Sequence, residues 1–233
     1  MHMKKGQIPA AVKSVRRDLT DWVWHLVRRD GHPQETFRSI ITERTLCGGL
    51  DQASGETVIC FSEAPLRELM NQDEVLSQKG YKRLALYGVG FRKQWLFDRG
   101  GLPVIYQPDS LMDNLLPKAR WRHVEFDLSK PVDYTWQREW RIRAESLTFE
   151  IEDAVALIRN IDGLEDLLWK NHIDVQDEQG EIMISSEVFK EIDFVPLEFA
   201  DVDDDSSIEV CTADDYVDGL TDDNFGRLDM EGP

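Results

Sequence analysis

The chain has 233 residues, with 45 acids against 27 bases, a net charge of −18 and 41% hydrophobic residues. That length suits one full domain or one domain with an appendage, and folding at this size buries roughly 70% of the unfolded surface, so no disulfide or metal is required. The charge is uneven: residues 1–150 hold 23 bases and 20 acids, net +3, while residues 151–233 hold 4 bases and 25 acids, net −21, so the whole chain is too acidic for a simple nucleic-acid module although its first half is not.

No apolar run approaches the ~18 residues of a membrane span, and the N-terminus lacks the apolar stretch of a secretory signal, so the expectation is a soluble, cytoplasmic protein with no membrane partner. Cys47, Cys60 and Cys211 are odd in number and widely spaced, which reads as reduced thiols rather than a disulfide framework or a zinc site.

Residues 1–19 carry Lys4, Lys5, Lys13, Arg16 and Arg17 and read as a basic N-terminal arm. Trp22, Trp24 and Leu26 then alternate with Val23, His25 and Val27, the pattern of a strand buried on both faces, which puts His25 inside. Phe37, Ile40 and Ile41 predict a helix over 34–43, followed by a Gly48-Gly49 turn. The run TVICF at 57–61 is a strand by composition, and Ser62 as N-cap with Pro65 in the first turn predicts a helix over about 64–70. Further strands are expected at 84–91, 102–107, 122–128 and 139–143, with helical pieces at 92–98 and 109–116 between them. Short strands interrupted by short helices, without regular alternation, define an α+β class built on a mostly antiparallel sheet. Residues 20–150 form the expected core, and 151–199 either close the same sheet or pack as a small subdomain. Residues 200–233 read as an acidic, flexible tail: positions 201–233 hold 12 acids and one base, with Tyr216, Leu220, Phe225 and Leu228 spaced among them.

Phosphate-loop, HExxH, GxSxG and paired CxxC motifs are absent. Gly88-Val89-Gly90 lies inside a predicted strand, where its glycines read as positions of close backbone approach rather than a dinucleotide fingerprint. Chemistry is concentrated in DWVWHLVRR around His25, in CFSEAP at 60–65 and in TWQREWRI at 135–142. On a strand, Glu139, Arg141 and Arg143 share one face and Trp140 and Ile142 the other, which is either a solvated salt-bridge ladder or a carboxylate held by specific partners in a buried strand.

A histidine on an early strand, the Phe61-Ser62 pair on a second and a glutamate on a late one resemble the core of the ADP-ribosyltransferase superfamily, and within it the H-Y-E type more than the R-S-E type. The same segments, with FRSIITERTLCGG, YGVGFRK and GGLPVIYQ, are similar to bacterial abortive-infection proteins of the AbiGi kind that act in phage defence. The likeness covers about residues 20–145. It implies a split antiparallel sheet and NAD as substrate. It also implies that His25 bonds the nicotinamide-side ribose, that Phe61 and Ser62 support nicotinamide, that Glu139 binds the ribose 2′-hydroxyl, and that Arg92 or Arg141 contacts the pyrophosphate. For the middle of the triad Tyr81, Tyr87, Tyr106 and Ser62 compete. The implied activity is that of a toxin or anti-phage effector modifying nucleic acid or protein, with a cognate toxin or antitoxin as partner. Two other readings stay open: an inactive regulatory scaffold that uses its acidic C-terminus, and a metal-dependent nuclease using Glu63, Asp98 and Glu139.

Overall fold

The computed structural model describes residues 12, 15–16, 18–28, 32–66, 69, 84–129, 133–158 and 193–196. Most of the 1–19 arm and of the expected 64–70 helix, nearly all of 159–199 and the whole 200–233 tail lie outside them. The described chain is α+β with a mostly antiparallel sheet. In chain order its elements are β1 (Trp22–Arg28), α1 (Pro33–Glu43), β2 (Thr45–Cys47), β3 (Gly49–Asp51), β4 (Glu56–Ser62), β5 (Leu84–Arg92), α2 (Lys93–Asp98), β6 (Leu102–Pro103), β7 (Ile105–Gln107), β8 (His123–Glu125), β9 (Glu139–Arg143), β10 (Ser146–Thr148), β11 (Ala154–Ile158) and β12 (Asp193–Pro196), with short 3-10 turns between several of them. No described helix is long and apolar enough to cross a membrane.

The main sheet has eight strands in the order β12-β11-β5-β1-β4-β9-β6, with β3 added alongside β4. Among the described residues, only β11–β12 runs parallel in it. β1 is central because both its faces are apolar: Val23 and Val27 enter the larger core with Phe37, Ile41 and Phe91, while Trp22 and Trp24 pack with Leu66, Leu69, Val155 and Leu157 on the other side. The glycines of β5 make room for this arrangement. A Cβ at Gly90 would lie 2.2 Å from the Trp24 ring, and one at Gly88 would lie 2.4 Å from the His25 carbonyl oxygen, so these positions serve close strand packing.

Four expectations change in detail. Instead of a simple turn at Gly48-Gly49 there are two short strands, because β2 pairs with β10 and β3 with β4. The 102–107 strand is split: Leu102–Pro103 pairs with β9, whereas Ile105–Gln107 pairs in parallel with β8. The 122–128 strand shrinks to His123–Glu125, since Trp121 and Arg122 close a 3-10 turn and Asp127 caps the Ser129 N–H at 2.9 Å. The helical piece near 109–116 is a 3-10 turn, Asp109–Asn114. Ala154–Ile158 joins β5 antiparallel and so extends the same sheet.

The junction between β1 and β4 positions the candidate site. These strands share a single Cα pair, Trp24↔Ser62, whereas β1 runs beside β5 from Trp22↔Arg92 to Arg28↔Leu84 and β4 beside β9 from Val58↔Arg143 to Ser62↔Glu139. The hydrogen-bonded ladder between β1 and β4 therefore opens immediately beyond Trp24.

Candidate functional site

The strands bearing His25, Phe61-Ser62 and Glu139 lie side by side as β1, β4 and β9. Trp24, Ser62 and Glu139 form one row across them, and side chains in one such row share a face. His25 is displaced by one residue and emerges on the opposite face, where its ring meets Phe61 edge-on at 5.7 Å. The candidates thus fall into two sets: Cys60, Ser62, Glu139 and Arg141 on one side of the sheet, His25 and Phe61 on the other.

His25 occupies the opening. Its Nδ1 lies 2.9 Å from the Cys60 carbonyl oxygen, a place that a ladder bond would take in a continuous sheet. A carbonyl only accepts, so Nδ1 carries the proton and Nε2 keeps its lone pair. Burial lowers the pKa of the ring, against a smaller opposing effect of the bond to Cys60, and the imidazole is neutral at pH 7. In this tautomer His25 offers an acceptor, so a sugar hydroxyl would donate to it.

Glu139 is enclosed. Its Oε1 accepts from Arg141 Nε at 2.6 Å, and the two side chains are 14% and 10% exposed. Arg141 Nη1 also donates to the carbonyls of Trp121 and His123 at 3.2 Å each and lies 3.4 Å from Asp51 Oδ1. Arg141 is accordingly spent on internal partners. The Glu139 N–H donates to Tyr106 Oη at 3.0 Å, and burial raises the phenol's pKa. Of the competing tyrosines, Tyr106 is the one at Glu139; Tyr87 is tied to Gln34 at 3.1 Å, and Tyr81 lies outside the described residues. Cys60 shares the face of Glu139. Part of Cys60 reaches solvent, yet the packing around its sulfur and then the Glu139 carboxylate push the thiol up to about 12.

Ser62 fastens the joint after β4. Its Oγ donates to the Gln137 carbonyl at 2.7 Å and accepts from the Ala64 N–H at 3.1 Å, so it ties the strand end to the turn preceding Glu139. Phe61 is buried between His25 and Phe91. Arg92 is exposed and stacks its guanidinium 3.9 Å over the Trp22 ring.

Glu63 has a larger structural part than a metal-ligand candidate would. Its carboxylate, 15% exposed, receives Lys93 Nζ at 3.1 Å and Arg138 Nη2 at 3.2 Å on Oε1, and Trp140 Nε1 at 2.7 Å on Oε2. The signal was available in strand parity, since Ile59, Phe61 and Glu63 alternate onto the core side and a carboxylate there requires partners. The trio Glu63, Asp98 and Glu139 is not gathered: Asp98 is bonded to Gln94 at 2.7 Å on α2, and no group of three potential metal ligands occurs among the described residues.

No family model, no curated protein and no solved structure matches this chain.

Proposed function

We propose that the chain is an NAD-consuming ADP-ribosyltransferase-like enzyme of the cytoplasm, a toxin or anti-phage effector that modifies nucleic acid or protein. The observation behind this reading is the opening of the sheet at His25, with the strands of His25, Ser62 and Glu139 adjacent around it. Because His25 and Glu139 emerge on opposite faces of strands two spacings apart, about 10 Å, a ligand touching both must enter the opening rather than lie on one face. A single ribose cannot touch both, which corrects the implied sharing of the nicotinamide-side ribose: Glu139 takes that ribose, and His25 meets another part of a dinucleotide.

In the proposed reaction the bond between ribose C1′ and the nicotinamide nitrogen breaks and nicotinamide leaves with the electron pair. An acceptor hydroxyl or amine forms the new bond to C1′, and its proton passes to Glu139. A fixed carboxylate beside the oxocarbenium-like centre stabilises its charge, and acid/base assistance of this kind is worth roughly 10² to 10⁴-fold. Neutral His25 holds a ribose hydroxyl through Nε2, Tyr106 fixes the Glu139 backbone, and Arg92 or Arg141 contacts the pyrophosphate. The test is release of labelled nicotinamide from NAD, which should be abolished in Glu139→Gln; absence of calorimetric NAD binding by the unaltered chain would reject the proposal.

One observation favours a second reading, an inactive regulatory scaffold for a toxin or antitoxin partner. The Glu139–Arg141 pair is mutually satisfied and mostly covered. That reading predicts partner binding unaffected by Glu139→Gln and no nicotinamide release.

A further inference from the structure

Glu63 lies at the end of the sheet where β4 ends and β9 begins, and its carboxylate binds the side chains of both sequence neighbours of Glu139. Arg138 Nη2 meets Oε1 at 3.2 Å and Trp140 Nε1 meets Oε2 at 2.7 Å. The Glu63 N–H also donates to the Arg138 carbonyl at 3.1 Å. Arg138 needs such support, because it adopts the left-handed conformation (φ 47, ψ 52), which is strained for a non-glycine residue and persists where the surroundings over-determine it. Its other guanidinium nitrogen is anchored to the Asp18 carbonyl. Lys93, the third partner of Glu63, donates its own N–H to the Asp21 carbonyl at 2.8 Å, immediately before β1.

From these contacts we infer that Glu63 is a positioning residue. By clamping residues 138 and 140 it fixes the backbone and register of Glu139, so the candidate carboxylate is held in place from the opposite side of the sheet. Its catalytic significance rests on the ADP-ribosyltransferase reading; the clamp itself does not.

Glu63→Gln tests this. The amide oxygen can still accept from Trp140, but the charge facing Arg138 and Lys93 is lost. Amide hydrogen exchange at residues 138–140 should quicken by about tenfold or more, the effect of losing charge-assisted bonds, while Val89 and Ala156 in β5 and β11 keep their protection. Nicotinamide release should fall about tenfold in kcat with KM for NAD nearly unchanged. Unchanged exchange at 138–140, or an equal rise throughout β5 and β11, overturns the inference. Arg138→Gly supplies the same exchange readout if Glu63→Gln does not fold, because glycine adopts the left-handed turn freely while losing the Glu63 contact; an unaltered Glu139 amide in that variant would also overturn it. Local loosening in a protein that never releases nicotinamide would uphold the clamp and reject the NAD reading.

Discussion

Replacing Arg141 by leucine is expected to be among the most damaging single changes in the described sheet. The guanidinium compensates Glu139 at 2.6 Å and Asp51 at 3.4 Å and satisfies the carbonyls of Trp121 and His123. Both partners of the Glu139–Arg141 pair are mostly covered, so solvent screens the interaction far less than it screens an exposed pair. Removing one member of a buried pair costs about 3–5 kcal/mol, because the remaining charge is left uncompensated. Urea denaturation followed by tryptophan fluorescence would measure the loss. The double variant Arg141→Leu with Glu139→Leu should recover a substantial part of it, since replacing a whole buried pair by apolar groups is close to neutral. The two carbonyls still lose their Arg141 donor and Asp51, although bonded to Ser54, loses its compensating charge, so recovery is incomplete. A loss below about 1 kcal/mol in the single variant, the range of exposed pairs, would refute the enclosed geometry of Glu139.

Gly90→Ala should lower stability by at least about 1–3 kcal/mol, because its Cβ would meet the Trp24 ring at 2.2 Å; an unchanged melting temperature would contradict the packing of β1 on β5. Cys60 should resist alkylation at pH 8 although it reaches solvent. A thiol pushed up to about 12 holds on the order of a thousandfold less thiolate than an ordinary cysteine, and mass spectrometry showing Cys60 alkylated as fast as a free thiol would contradict it. Burial lowers the His25 pKa, so below the unfolded value of about 6.5 the unfolded state binds more protons and stability falls as pH drops toward the folded pKa. His25→Gln should flatten this part of the acid limb in urea midpoints measured against pH; an identical slope would show that His25 is not buried neutral.

The central strand and the faces of β9 were legible because their patterns are dense. Trp22 to Val27 alternates without a break, and Trp140 and Ile142 oppose Glu139, Arg141 and Arg143. Composition also sufficed for the helix that became α1, from Phe37, Ile40 and Ile41, and for the packing role of Gly88 and Gly90. The 102–128 stretch was harder, because Pro103, Pro108 and Pro117 remove ladder donors and local side-chain bonds such as Asp127 to Ser129 compete with strand pairing. Within the site, residue types were readable but their sidedness was not. Whether His25 and Glu139 share a face depends on the register Trp24↔Ser62↔Glu139, a long-range pairing that no local pattern specifies, and a one-residue slip would reverse it. The roles of Arg141 and Glu63 escaped for a related reason: each is defined by partners from at least two distant segments, Asp51 and 121–123 for Arg141, Lys93 and 138–140 for Glu63.

The most direct measurement is a titration of ¹⁵N-labelled protein with NAD, following the two ring nitrogens of His25. Nε2 should shift on binding while Nδ1 stays protonated and bonded to Cys60, and Glu139→Gln should retain the shift but release no nicotinamide. A His25 ring indifferent to saturating NAD would contradict a ligand in the opening between β1 and β4.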